Sequence, residues 1–320
     1  MTPAYYSPEQ ASKLYMERAG EVAEAALAWR RRHDIKPAAT DDMRIALLGI
    51  DVQNCFAMPG GSLFVPGAVE DTQSALNWLY TNLPRVTGLY FSLDTHSVYQ
   101  VFHPAWWADA DGNHPAPLTP ISAADVEGGR WRALREPEAS LEYVRKLEQG
   151  GRYTLTIWPY HALLGGVGHA LVPAVMEAAV FHSIVRDAQT HIVTKGREPR
   201  SENYSILSPE VTELGNRQVG AFNESLFREL MTYDRVYVWG QAKSHCVLST
   251  LLDLRDRIME LDGGMLKKIW ILEDAMSPVP APPIDPLPES LNFPAIADRT
   301  VTELARAGMN VTRTTEPLAA

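Results

Sequence analysis

The sequence predicts an α/β fold in which helices cover both faces of a mostly parallel sheet. Short apolar, β-branched runs alternate with longer segments of helical periodicity from Arg44 onward. Runs of this kind are typical of parallel strands, because helices cover both sides of such a sheet. Of the 320 residues, 46% are hydrophobic and 21% are charged, which supports a full core and excludes disorder as the overall state.

The apolar runs predict strands, and the segments between them predict helices. The strand segments are, in order, IALLGI, GLYFSLD, HIVTKG, RVYVWGQ, KKIWILEDA and MNVTRT. The helix segments are GAVEDTQSALNWLYTNL, NESLFRELMTY, CVLSTLLDLRDRIMEL and PAIADRTVTELARAG. Ligands of such sheets bind beyond the carboxyl ends of the strands. The residues that follow each apolar run are therefore the candidate functional residues.

Two segments lie outside this alternation. Residues 1–40 form an N-terminal helical extension, in which residues 8–33 carry apolar side chains at helical spacing after Ser7, a predicted N-cap. Residues 41–320 form the main domain, with a long insertion at about 97–156 that is rich in Pro, Gly and aromatic residues. The insertion contains one predicted helix near EPEASLEYVRKLEQ, and a segment of its length is typically a lid, a subunit contact or partly disordered. We expect a homo-oligomer that forms through the extension or the insertion.

Charge and composition exclude several classes of partner. With 29 Lys+Arg against 39 Asp+Glu, the net charge is −10, which argues against a nucleic-acid or anionic-membrane surface. The N-terminus lacks a signal-peptide pattern, no 18-residue apolar run occurs, and the two cysteines do not require an oxidising compartment. We therefore expect a cytoplasmic protein. No glycine-rich phosphate loop is present, so we expect no nucleotide cofactor.

Cys246 is the candidate nucleophile, because it opens a helix directly after a predicted strand. A helix N-terminus stabilises a thiolate, and its free N–H groups can receive an oxyanion. Asp51 follows the first strand and Lys195 ends the third. A carboxylate can take the thiol proton and later activate water, while an ammonium lowers the thiol pKa. Cys55 is interpreted as a small buried hydrophobic residue.

Three motifs carry a resemblance to a known family. They are DVQN-x-F at the first strand end, KG followed by YS, and V-x-G-x-A before the cysteine. Over residues 44–314 the chain resembles the isochorismatase-like cysteine hydrolases. The resemblance implies an Asp51, Lys195 and Cys246 triad in a three-layer α/β/α fold with a six-stranded parallel sheet. It also implies a cis peptide before Ala242 and an oxyanion site made by the backbone N–H groups of Ala242 and Cys246.

A second group of residues indicates a metal site. Asp94 and His96 lie two residues apart at a strand end, so in an extended segment both side chains point the same way and could bind one ion. With TIWPYHA, which contains His161, they resemble the D-x-H and W-P-x-H-C motifs of the nicotinamidases, although Ala replaces the final Cys here. The resemblance implies Asp94, His96 and His161 as ligands of a divalent ion, zinc first, with iron and manganese as alternatives. His103 is a candidate fourth ligand, and His114 is a rival for the third.

The resemblance implies a metal-dependent amidase that converts nicotinamide to nicotinate and ammonia, as in pyridine nucleotide salvage. Phe56 and Trp158 would hold the ring, and Cys246 would form a thioester. His245, next to Cys246, is interpreted as structural, since neighbouring helical residues point apart. Three alternatives remain open: hydrolysis of another amide or carbamoyl compound, metal-free hydrolysis of the isochorismatase type, and a binding or scaffold protein on an inactive hydrolase fold.

Overall fold

A computed structural model of the protein describes residues 2–150, 152–283 and 285–318. Its central sheet contains strands that are all parallel and lie in the order β6-β5-β4-β1-β2-β3. The strands are β1 (Ile45–Ile50), β2 (Gly88–Asp94), β3 (His191–Lys195), β4 (Arg235–Gly240), β5 (Ile269–Leu272) and β6 (Asn310–Thr312). The predicted six-stranded parallel sheet is confirmed. All six residues of β1 are buried, as expected for a central strand with helices on both sides.

Helices lie on both faces of the sheet, which confirms the predicted three-layer α/β/α architecture. The α-helices of the described residues are α1 (Ala19–Arg32), α2 (Asn54–Ala57), α3 (Ala68–Asn82), α4 (Ala123–Glu127), α5 (Pro137–Gly150), α6 (Pro173–Arg186), α7 (Glu224–Met231), α8 (Leu248–Leu261) and α9 (Phe293–Ala307). Helices α3, α7, α8 and α9 correspond to the predicted segments, whereas α6 was not predicted. Within the described residues, none of the helices is long and apolar enough to cross a membrane.

The N-terminal extension packs on its own domain. Helix α1 lies against α6 and buries Val22 and Ala26 completely. The prediction of one helix over residues 8–33 was wrong in extent, because Ser7 precedes only a short 3-10 turn, Pro8–Ser12, and the helix begins at Ala19. The reason is a contact with α6: the Arg18 backbone N–H and guanidinium donate hydrogen bonds to Glu177, which hold Arg18 in a non-helical conformation just before the helix.

The insertion at 97–156 is a folded unit whose buried side chains are continuous with the main core. Helix α5 coincides with the helix predicted near EPEASLEYVRKLEQ. The described part of the insertion contains two pairs of short antiparallel strands. Trp107–Ala108 pairs with Arg132–Ala133, and Pro120–Ile121 pairs with Leu155–Thr156. The buried Trp106 indole donates a hydrogen bond to Ser140 Oγ on α5 at 2.9 Å. A packed unit of this kind forms a fixed wall beside the sheet edge rather than an unstructured loop.

Candidate active site

The carboxyl ends of neighbouring strands bring the three predicted catalytic residues together. Asp51 follows β1, and Lys195 ends β3 directly opposite Asp94, the last residue of β2. Cys246 lies after β4 in a π-type turn, Lys243–Val247, that leads into α8. Because parallel strands all end at the same edge of the sheet, these side chains converge on one point.

Lys195 lies at the centre of this cluster. Its Nζ is 2.9 Å from Asp51 Oδ2 and 3.6 Å from Cys246 Sγ. The same nitrogen is 3.0 Å from Asp94 Oδ1 and donates a hydrogen bond to the Asn203 carbonyl at 2.9 Å. All of these side chains are buried, so the attraction between their charges is stronger than it would be in water. The ammonium is placed to hold a thiolate and a carboxylate next to each other.

Asp51 is fixed in one orientation by Ser92 on β2. The Asp51 N–H donates to Ser92 Oγ at 2.8 Å, and the Ser92 hydroxyl donates to Asp51 Oδ1 at 2.5 Å. Asp51 has a φ of 47°, a backbone conformation that is uncommon for residues with a side chain and that often occurs at functional sites. Burial raises the pKa of the Asp51 carboxyl, while Lys195 opposes that rise. A raised pKa makes this carboxyl a better proton acceptor, and it can then return the proton to a leaving group.

Cys246 is 7% exposed, at the N-terminal end of the segment that continues into α8. Burial raises the pKa of the Cys246 thiol well above its ordinary value, and Lys195 is the neighbour that lowers it. The Gln241–Ala242 peptide is cis, as the resemblance implies. Ala242 lines the same cavity as Cys246.

Asp94, His96 and His161 form a buried group in which one ligand atom from each residue lies within 4.8 Å of the others. Asp94 Oδ2 is 2.7 Å from His96 Nε2 and 3.5 Å from His161 Nε2. The three side chains come from the end of β2 and from the segment that follows the insertion. The structure thus brings together the three predicted ligands.

Hydrogen bonds on the far side of each imidazole show that this group suits a divalent cation. His96 Nδ1 lies 3.0 Å from the Gly196 carbonyl, and His161 Nδ1 lies 2.7 Å from the Pro159 carbonyl. A carbonyl only accepts, so with the proton on Nδ1 each imidazole satisfies its carbonyl and leaves the Nε2 lone pair directed at Asp94. The side-chain amide of Gln100 also lies 3.1 Å from His96 Nδ1. Two nitrogen lone pairs and a carboxylate that face one another are a typical donor set for zinc or a similar ion.

The remaining two candidate ligands differ in position. The His103 ring centroid is 5.8 Å from that of His161, and its Nδ1 is 3.0 Å from the Val98 carbonyl. His103 Nε2 is buried without a partner in the described part of the chain, although it does not belong to the close group of ligand atoms. His114 is exposed, and its Nδ1 lies 2.6 Å from the Trp107 carbonyl.

A cavity of about 440 Å³, including its open mouth, connects the cysteine to the possible metal ligands. Both predicted ring-binding residues, Phe56 and Trp158, line it and are buried. The Trp158 indole donates a hydrogen bond to the Tyr204 hydroxyl at 3.0 Å, which fixes that wall. The other lining residues are Leu63, Val65, Asp94, His96, His161, Glu202, Asn203, Tyr204, Ala242, His245, Cys246 and Val279.

No protein-family model and no curated protein matches the sequence. Among solved structures, a nicotinamidase/pyrazinamidase of Acinetobacter baumannii is 20% identical, covers 85% of this chain and 96% of its own, and has a TM-score of 0.51. The yeast nicotinamidase Pnc1p is 18% identical, covers 84% of this chain and 99% of its own, and has a TM-score of 0.53. The chain has the nicotinamidase fold. The predicted isochorismatase-like hydrolase fold is therefore confirmed.

Within this nicotinamidase fold, several cavity residues were not predicted from the sequence. Glu202 and Asn203 follow the end of β3 by a few residues, so their proximity to Lys195 was the available signal. Val279 belongs to the proline-rich segment between β5 and α9. Leu63 and Val65 follow the short helix α2, which itself carries Phe56. These residues come from irregular segments whose paths hydrophobic periodicity does not predict.

His245 lies in the cavity wall of the nicotinamidase fold. Its ring stacks on Tyr153 with a centroid distance of 5.2 Å and meets Trp158 edge to face at 5.2 Å. Burial lowers the pKa of His245 to about 3, so the ring is neutral at physiological pH. Tyr153 belongs to the insertion, which therefore supports the cavity from behind the residues that line it.

Proposed function

We propose that the protein is a metal-dependent cysteine amidohydrolase that converts nicotinamide, or a similar heteroaromatic carboxamide, to the carboxylic acid and ammonia. One observation carries the proposal: the buried Lys195 lies 2.9 Å from Asp51 and 3.6 Å from Cys246, beside a cavity that also contains Asp94, His96 and His161. A nucleophile and a possible metal site thus line one cavity, and Lys195 joins the nucleophile to the buried proton acceptor Asp51.

Asp94, His96 and His161 would hold the divalent ion, for which zinc is our first choice. When bound, the ion would act as a Lewis acid that anchors a ring nitrogen of the substrate. Phe56 and Trp158 would lie against the ring faces, because aromatic side chains bind planar rings by stacking or edge contacts. The carboxamide would then face Cys246.

In the first half-reaction, Cys246 Sγ attacks the amide carbon while its proton passes to Asp51. Lys195 stabilises the negative charge that develops on Sγ as the proton leaves. The N–H groups of Ala242 and Cys246 would donate to the oxygen of the tetrahedral intermediate. The C–N bond then breaks, Asp51 returns the proton to the leaving nitrogen, and ammonia departs from a thioester on Cys246.

In the second half-reaction, water attacks the thioester carbon and gives a proton to Asp51. The C–S bond breaks, and the departing thiolate of Cys246 recovers its proton from Asp51. The carboxylic acid leaves, and the starting protonation states are restored. Atoms balance as amide plus water giving acid plus ammonia.

Ammonia release from nicotinamide by the purified, zinc-loaded protein tests the proposal. We expect turnover that chelation abolishes, that added metal restores, and that Cys246→Ala eliminates. Cys55→Ala is the matched control, since Cys55 is buried and does not line the cavity. Unchanged turnover in Cys246→Ala, or no release from heteroaromatic carboxamides by the metal-loaded protein, would refute the proposed function.

A further inference from the structure

Glu202 is a buried acid in the cavity wall that the proposed reaction does not use. It is 4% exposed and lies seven positions after Lys195, in the irregular segment between β3 and α7. Within residues 2–150, 152–283 and 285–318, its Oε2 atom has no hydrogen-bond partner. Buried polar atoms are nearly always paired, so an unpaired one in a ligand cavity indicates that a ligand completes it.

The backbone of Glu202 and the aromatic wall next to it are fixed by hydrogen bonds. The Trp158 indole N–H donates to the Tyr204 oxygen at 3.0 Å, so the Tyr204 hydroxyl proton remains available for another acceptor. Tyr204 lowers the pKa of the Glu202 carboxyl against the larger effect of burial. The Glu202 backbone N–H also donates to the Tyr143 hydroxyl at 3.1 Å, which fixes the residue at its base. Glu202 is thus fixed at its backbone, and its side chain lies beside the aromatic wall of the cavity.

We propose that Glu202 is a specificity-determining residue, whose Oε2 hydrogen-bonds a second polar atom of the substrate beyond the carboxamide that is cleaved. This inference rests on the proposed function, because it concerns the amide that occupies the same cavity. Asp51 supplies the proton transfers of the reaction, so Glu202 is free to serve recognition alone.

The chemistry of Glu202 indicates which polar atom it would recognise. Burial raises the pKa of Glu202 well above that of an ordinary carboxyl, and the negative charge of Asp94 adds to the rise. A protonated carboxyl donates a hydrogen bond, so the complementary substrate atom is an acceptor. A ring with two acceptor nitrogens, as in pyrazinamide, would offer one to the metal and one to Glu202. Nicotinamide has a single ring nitrogen to offer.

Calorimetric binding of pyrazinamide and nicotinamide to the zinc-loaded Cys246→Ala protein tests the assignment without turnover. We expect pyrazinamide to bind more tightly, and Glu202→Leu to weaken pyrazinamide about tenfold while nicotinamide changes less than about twofold. Glu202→Gln, which keeps a donor, should retain most of the preference. Glu210→Gln is the matched control, because this acid lies in the same segment but lines a separate surface groove.

Several outcomes would overturn the assignment of Glu202. In the first, Glu202→Leu leaves the ratio of the two affinities unchanged, whether or not both amides bind more weakly. In the second, neither amide binds. In the third, the variant loses bound zinc and the amide affinities do not change. Turnover of the two amides by the wild-type protein is measured separately. If the wild-type protein hydrolyses both amides and Glu202→Leu leaves the affinity ratio unchanged, only this inference is refuted. If the wild-type protein has no activity, the proposed function is refuted.

Discussion

Asp94 and Lys195 join the two halves of the candidate site. Asp94 Oδ1 lies 3.0 Å from Lys195 Nζ, while Asp94 Oδ2 lies 2.7 Å from His96 Nε2. One carboxylate therefore serves both the catalytic cluster and the possible metal ligands. A change at Asp94 should affect both groups together, whereas a change at a residue of one group should affect mainly that group.

Asp94→Asn should lower zinc affinity at least about tenfold, because the amide keeps the shape of the side chain but removes the only negative charge in the ligand set. Competition with a coloured chelator, together with elemental analysis of the purified protein, measures the change. Asp111→Asn is the control, since Asp111 is exposed in the insertion. Equal zinc affinity in the two variants would contradict the assignment of Asp94 as a ligand.

Lys195→Met should slow alkylation of Cys246 by iodoacetamide at pH 8, measured in a Cys55→Ala background so that one thiol remains. Burial raises the pKa of Cys246 and Lys195 lowers it, so loss of the ammonium raises the pKa further and depletes the thiolate. Each unit of pKa reduces the thiolate about tenfold.

Lys195→Met should also lower the free energy of unfolding by about 3–5 kcal/mol, because the buried carboxylates of Asp51 and Asp94 lose their shared ion-pair partner. Lys195→Arg keeps the charge and should retain more of both properties, which separates the role of charge from that of shape. An alkylation rate unaffected by Lys195→Met in a folded variant would show that the ammonium does not activate the thiol.

Gly196→Ala should damage the metal site through a steric contact. A Cβ atom at this position would lie 2.7 Å from Asp94 Oδ1 and 2.7 Å from His96 Cε1, and both atoms belong to residues of the proposed ligand set. The φ of 80° adds a backbone cost of about 1–2 kcal/mol. Gly112→Ala isolates that cost, because Gly112 has a φ of 87° and no atom within 4 Å of the added Cβ.

Thermal unfolding with and without zinc should distinguish the two glycine variants. We expect both to unfold at a lower temperature than the wild type, but only Gly196→Ala to lose the stabilisation that bound zinc provides. The same gain from zinc in both variants would argue against a metal site beside Gly196.

The residues at strand ends could be predicted because their positions follow from the fold class. Asp51, Asp94 and Lys195 each follow or end an apolar run, and parallel strands bring such positions to one edge. Glu202 and Val279 could not be placed in this way, since they lie in irregular segments whose paths depend on tertiary contacts.

Helix α6 was missed for a related reason. Its sequence, PAVMEAAVFHSIVR, is mainly apolar and most of its residues are buried, because α1 covers the side that a surface helix would expose. It therefore lacks the clear alternation of apolar and polar faces that predicts a surface helix. The extent of α1 was overestimated because the apolar spacing continues through residues 8–18, while the contact with Glu177 decides where the helix begins.

The contact between Arg18 and Glu177 should stabilise the N-terminal extension in a pH-dependent way. Glu177 Oε1 and Oε2 each accept a hydrogen bond from the Arg18 guanidinium at 2.9 Å, and the Tyr15 hydroxyl donates to Oε2 at 3.0 Å. Burial alone would raise the pKa of Glu177, but these hydrogen bonds outweigh it and lower the pKa. The ionised carboxylate therefore stabilises the fold at neutral pH, and this contribution is lost as the pH falls through the lowered pKa.

Glu177→Gln should destabilise the protein by about 1.5–3 kcal/mol at pH 7, because hydrogen bonds to a charged acceptor are replaced by bonds to a neutral amide. The difference from the wild type should shrink as the pH falls below the ordinary carboxyl range, since the wild-type Glu177 then becomes neutral as well. Urea unfolding at several pH values measures this, with the exposed Glu138→Gln as control. A constant difference across that range would mean that the glutamate acts through its shape, and that its charge does not hold the extension in place.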